Sequence, residues 1–90
     1  MDIAGSWHDS DDYSYDVRQD GTTFSYTFAR AGATIGRGAG TMTGSRLSYS
    51  FVNDDRSSEG TCDGEVAADG RMIRGTCRDG PDSWPFAIER

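Results

Sequence analysis

Apolar and polar residues alternate along most of this chain, and turn-forming residues interrupt the alternation at regular intervals. From Tyr13 to Val17 every second residue is aromatic or aliphatic, with Ser14 and Asp16 between them. The same pattern runs through Phe24, Tyr26 and Phe28, and through Leu47, Tyr49 and Phe51. A strand sends successive side chains to opposite faces, so a period of two marks strands buried on one side. No stretch holds the 3.6-residue period of a helix. Turn signals fall at Asp20-Gly21, Gly32, Gly44-Ser45, Asn53-Asp54-Asp55, Asp69-Gly70 and Gly80-Pro81. They predict about eight strands, at 4–8, 13–19, 22–30, 34–43, 46–52, 57–67, 71–78 and 83–90.

Register tests this reading more severely than spacing does. Asp-Gly favours a two-residue hairpin turn with positive φ at both central positions. Centred on Asp20-Gly21, such a turn sets Val17 opposite Phe24 and Tyr15 opposite Tyr26. Centred on Asp69-Gly70, it sets Val66 opposite Ile73 and Cys62 opposite Cys77. Gly44-Ser45 sets Met42 opposite Leu47. A turn at Asp54-Asp55 sets Leu47 opposite Cys62, and one at Gly80-Pro81 sets Cys77 opposite Trp84. With Trp7 from the first strand, all ten aromatic residues fall on one face, and serines, threonines and charges fall on the other. A slip of one residue would invert a strand, so the agreement of five hairpins is strong evidence for the pattern. One sheet with a single dry face and nothing to pack against must curl and close. The expected fold is a single all-β domain spanning 1–90, an up-and-down antiparallel barrel. Residues 29–37 fit poorly, because Ile35 and Gly38 both face inward only if a bulge intervenes, and Gly36 is the residue to supply it.

Composition refines the picture. Only 34% of residues are hydrophobic, yet 11% are aromatic, whereas disordered segments are poor in aromatics. The net charge is −6, and all nine basic residues are arginine. Nucleic acids and anionic membranes attract basic surfaces, so neither is an expected partner. No apolar run is long enough to cross a bilayer as a helix. The first ten residues, MDIAGSWHDS, carry neither the basic nor the apolar part of a signal peptide. That points to the cytoplasm if Met1 is the natural start, and to a periplasmic or secreted protein otherwise. A monomer is expected.

Gly5-Ser6-Trp7 on the first strand and Arg90 at the end of the last resemble a pattern of the calycin superfamily, which includes lipocalins and fatty-acid-binding proteins. In that superfamily a Gly-x-Trp packs under an arginine from the final strand, beside the closed end of the barrel. The resemblance implies a lipocalin-like barrel in which Trp7 and Arg90 stack, a favourable cation–π pairing. This chain is shorter than a typical lipocalin and has no room for the flanking helix. Small bacterial barrels that inhibit proteases or lysozyme are similar in size and layout.

Four constellations are candidates for function. The first is the interior, where an eight-stranded barrel either fills with side chains or holds one small ligand. Inward glycines at 38, 40, 60, 64 and 75 lie among the aromatics. Short strands enclose little volume, so a core in which rings cover the glycines is the favoured expectation. A slot is the alternative, with Tyr13, Tyr15, Tyr26, Tyr49 and Trp84 binding a small apolar or aromatic ligand.

The second candidate is an acidic rim. Alternate loops share one end, bringing together Asp9, Asp11, Asp12, Asp54 and Asp55, with Asp79 and Asp82 beside them, against Arg30 and Arg56. Aspartate is a common turn residue that also keeps a small protein soluble. The functional reading is a site for a cationic ligand or a basic protein surface. The third is His8 with Asp9, Asp11 and Asp12, which meets no calcium-loop spacing and includes the only histidine, so no metal or other cofactor is expected. The fourth is the pair Cys62 and Cys77, set opposite each other in a hydrogen-bonded position. They are either a disulfide or two buried thiols. No nucleophile is placed beside His8, so an enzyme is a distant third behind a calycin-like binding protein and an interaction or inhibitor module acting through the acidic loops.

Overall fold

The computed structural model describes residues 1–90 and contains eight antiparallel strands: β1 (Gly5–His8), β2 (Tyr13–Asp20), β3 (Thr23–Arg30), β4 (Ala33–Thr43), β5 (Arg46–Asn53), β6 (Glu59–Val66), β7 (Met72–Asp79) and β8 (Asp82–Glu89). Each strand pairs with its sequence neighbours, and β8 returns to β1, so the sheet closes as an up-and-down barrel. Trp7, Val17, Phe24, Tyr26, Phe28 and Leu47 are buried inside. Ser14, Asp16, Ser25, Thr27, Ser48 and Thr61 face water. The closed barrel and its inside–outside division are as the alternation requires.

Individual pairings differ from the sequence expectation in two hairpins, each by two residues. Tyr15 faces Phe28 and Val17 faces Tyr26, because the β2–β3 turn is Gly21-Thr22 and not Asp20-Gly21. Gly21 has φ 62°, Thr22 does not share the positive φ, and a glycine in the first central position suits the type II′ hairpin. Between β5 and β6, Tyr49 faces Cys62 and Phe51 faces Gly60. Here Asp54–Ser57 form a longer loop, closed by the Asn53 amide donating to the Ser58 carbonyl at 2.8 Å. A shift of two leaves every residue on its own face, so both errors were invisible to a parity argument. The bulge lies where β4 needed one. Phe28 pairs with Gly36 and Ala29 with Thr34, leaving Ile35 as the additional residue.

The inner face of β4 explains how five rings fit into a narrow barrel. Gly36, Gly38 and Gly40 pair with Phe28, Tyr26 and Phe24 on one side. A methyl group on Gly36 would collide with the Phe28 ring, and one on Gly38 with the Tyr26 ring. With β4 contributing no inward side chains there, the rings of β3 and β5 lean over its backbone. Covering of glycine by neighbouring aromatics is a recurrent way to curve a barrel wall.

One end is sealed by the segment before β1. Ile3 is 1% exposed and its amide donates to the Gln19 side chain at 2.7 Å. The Trp7 indole N–H donates to the Ile3 carbonyl at 2.9 Å. Arg90 lies over the Trp7 ring at 4.5 Å and donates to the carbonyls of Gly70, Ala4 and Asp2 at 3.0, 3.1 and 2.8 Å. These contacts matter because β1 and β8 share a single paired position, His8 with Glu89. Much of the closure at this seam is made by side chains.

Candidate functional site

Sealing one end leaves the other as the way in. The loops joining β1–β2, β3–β4, β5–β6 and β7–β8 all lie at that end by the up-and-down order. Beneath them the interior is not filled. A cavity of about 230 Å³ runs from Ile3 at the sealed end to Asn53, Ser58 and Trp84 at the mouth. This corrects the expectation of a filled core. Three glycines on β4 together with Gly60, Gly64 and Gly75 remove inward volume, and the rings that cover them lie against the wall instead of crossing the lumen.

Of the five candidate ligand residues, Tyr15, Tyr26, Tyr49 and Trp84 line this cavity. Tyr13 does not. It stands at the rim, with the Arg30 guanidinium over its ring at 5.2 Å. Trp84 departs from the expectation that all the aromatics are packed inside, since it is 38% exposed. It faces inward on β8 but stands near the mouth, with its ring edge-on to Phe51 at 6.0 Å. Tyr49 sits among rings, edge-on to Tyr26 at 5.6 Å, Phe24 at 5.7 Å and Phe86 at 6.1 Å.

The polar atoms of the lining are few, and most are already hydrogen-bonded. The Tyr15 hydroxyl donates to Asp9 Oδ2 at 2.9 Å, and the Tyr26 hydroxyl to the Ser50 carbonyl at 3.3 Å. Ser58 Oγ donates to Asp79 Oδ2 at 2.8 Å. The Tyr49 hydroxyl has no partner in the protein, yet no fully sealed side-chain polar atom lacks one, so it opens onto the cavity. Burial pushes the phenols of Tyr15, Tyr26 and Tyr49 well above their ordinary pKa, and for Tyr15 the hydrogen bond to Asp9 adds to the effect. All three are neutral donors and acceptors at physiological pH.

The rim divides into tied and free carboxylates. Asp9 Oδ1 accepts from the amides of Asp11 and Tyr13 at 2.9 and 3.1 Å, holding the β1–β2 loop in one shape. Asp55 accepts from the Ser57 amide at 2.9 Å, and the Ser57 side chain and amide together hold its carboxyl below the usual range. Asp11, Asp12 and Asp54 are exposed, and no ion pair involves any of the rim aspartates. The three non-glycine residues with positive φ, Asp12, Ala31 and Arg56, all lie in loops of this end. Strained backbone of this kind collects where a site is shaped.

His8 is directed elsewhere. Its Nε2 lies 3.5 Å from Glu89 Oε1 on the β1–β8 seam, and no three metal-ligating side chains gather anywhere in the chain. Cys62 and Cys77 form a disulfide with Cα atoms 4.0 Å apart. That spacing belongs to a non-hydrogen-bonded pair, not the hydrogen-bonded pair expected from sequence. The reason is the β6–β7 loop, closed by the Ala67 amide on the Met72 carbonyl at 2.8 Å. A four-residue loop keeps the register of a two-residue turn but inverts the alternation of its hydrogen bonds. The disulfide lies in the cavity wall, with Cys62 opposite Tyr49 of β5 and Cys77 opposite Trp84 of β8.

Sequence reasoning missed Ile3, Asn53 and Ser58. Ile3 stands alone between polar and small residues, Asn53 reads as an ordinary turn residue, and Ser58 falls in the expected strand 57–67, whereas β6 begins at Glu59. No family model matches this chain, and no curated protein or solved structure is significantly similar to it.

Proposed function

We propose that this protein is a calycin-like binding protein that takes one small, flat, mainly apolar molecule into its barrel through the acidic end. The observation that carries this reading is the aromatic-walled cavity of about 230 Å³ in a 90-residue protein. Closing such a space would gain packing contacts, and an apolar cavity of about 150 Å³ already suffices to bind benzene. The present volume suits one substituted ring or two fused rings. The stacking of Arg90 on Trp7 beside the sealed end supports the kinship with calycins, which the architecture alone does not establish.

Thermal melting with indole, 2-naphthol and 2-phenylethanol tests the reading. A ligand at ten times its Kd is expected to raise the Tm by about 5–10 °C for a domain of this size. Leu47→Phe, which places a ring in the cavity wall, is expected to abolish the shift. No shift with any of these compounds would retire the small-ligand reading.

A second reading, an interaction or inhibitor module, has one observation in its favour: Asp11, Asp12 and Asp54 are exposed and free of ion pairs at the same end. Its partner would be a basic protein surface. Asp54→Lys with Asp55→Lys is expected to abolish capture of such a partner, and unchanged capture would reject this reading.

A further inference from the structure

The hydrogen-bond directions in the cavity wall specify the polarity of the occupant. A hydroxyl has one proton to give, and Tyr15 and Ser58 give theirs to the Asp9 and Asp79 carboxylates at the rim. Tyr26 gives its proton to the Ser50 carbonyl. Toward the lumen these three oxygens present lone pairs, and a carboxylate behind a hydroxyl makes its oxygen a stronger acceptor. Two of the three, on Tyr15 and Ser58, stand at the acidic end, beside the Phe51 and Trp84 rings, which meet edge-on at 6.0 Å. Tyr49, deep among Phe24, Tyr26 and Phe86, is free to donate or accept, and Asn53 at the mouth gives one amide N–H to Ser57 Oγ and keeps its second N–H and its carbonyl oxygen.

We infer that the occupant is an arylalkylammonium, its ring inside against Tyr26, Tyr49 and Phe86 and its ammonium at the mouth between Tyr15 and Ser58. This inference rests on the proposed function and sharpens it. An ammonium donates to the acceptor oxygens, neutralises the field of Asp9 and Asp79, and lies against the aromatic faces of Phe51 and Trp84. A carboxylate would bring a third negative charge to the same place and find few protons to accept. A neutral alcohol gains the ring contacts but little at the mouth.

Calorimetric titration of the intact protein with three molecules of nearly one shape tests this: 2-phenylethylammonium, 2-phenylethanol and phenylacetate, at pH 7 and low salt. The ammonium is expected to bind at least tenfold tighter than the alcohol, and phenylacetate more weakly than either. Asp79→Asn is expected to cut ammonium affinity about tenfold while leaving 2-phenylethanol within twofold. The asparagine keeps an oxygen for the Ser58 hydroxyl, and unchanged alcohol binding certifies that the fold survives. Equal affinity for ammonium and alcohol, or tighter binding of phenylacetate, overturns the inference while leaving the cavity as a binding site. If none of the three binds, the proposed function fails and the inference fails with it.

Discussion

At the scale of single residues, position on a strand decides how a substitution is felt. Tyr15 and Ser14 are neighbours in β2, one lining the cavity and tied to Asp9, the other in water. Tyr15→Ser is expected to destabilise the protein by about 3 kcal/mol, since it empties a packed site and leaves Asp9 without its phenol. Ser14→Tyr is expected to change stability by no more than about 0.5 kcal/mol, as exposed substitutions do. Urea denaturation of the two variants measures both, and comparable losses would contradict the inside–outside division. The alternation that separates these residues is plain in the sequence. That Tyr13 lies outside the cavity while Tyr15 lines it is not, because both have the same parity and only their height along the barrel differs.

At the scale of elements, the weak point of the barrel is the meeting of β1 and β8, which share the one pair His8 and Glu89. Arg90 compensates by holding three carbonyls of the sealed end while covering Trp7. Arg90→Ala is expected to cost about 2 kcal/mol from lost charged hydrogen bonds and stacking. Amide exchange should quicken first in residues 3–8 and in β8, with β3–β5 protected as before. Uniform acceleration would show that the seam is not a separate unit. The β6–β7 hairpin carries the other element-level tie, a disulfide closing a separation of 15 residues. Replacing both cysteines with alanine is expected to cost about 3 kcal/mol, the loop-entropy value for this length, read from chemical denaturation against the oxidised protein. Gly5-Ser6-Trp7 and Arg90 announced the first device in the sequence. The second was legible as an opposed pair, but oxidation state and Cα spacing depended on a loop whose length parity does not report.

For the molecule as a whole, alkaline pH tests the buried hydroxyls together. Desolvation raises the pKa values of Tyr15, Tyr26 and Tyr49 above the ordinary 10.0. In the unfolded chain these phenols ionise near that ordinary value, while in the barrel they stay neutral. Stability from this source is therefore complete below pH 10 and falls as the pH rises beyond it. Melting temperatures measured from pH 8 to pH 11.5 should hold level and then fall, with phenolate absorbance near 295 nm appearing together with unfolding. Phenolate absorbance from these residues in a still-folded barrel would mean that water reaches the interior. Strand number, strand order in space and the two faces were determined by the amino-acid sequence alone, because a period of two and well-marked turns leave one closed arrangement that turns every ring to the inner face. Pairing within two hairpins, the empty lumen and the direction of each hydroxyl proton were decided only by tertiary structure. Those features depend on loop length, barrel radius and which acceptor stands behind each wall residue, distances in space that residue order does not encode.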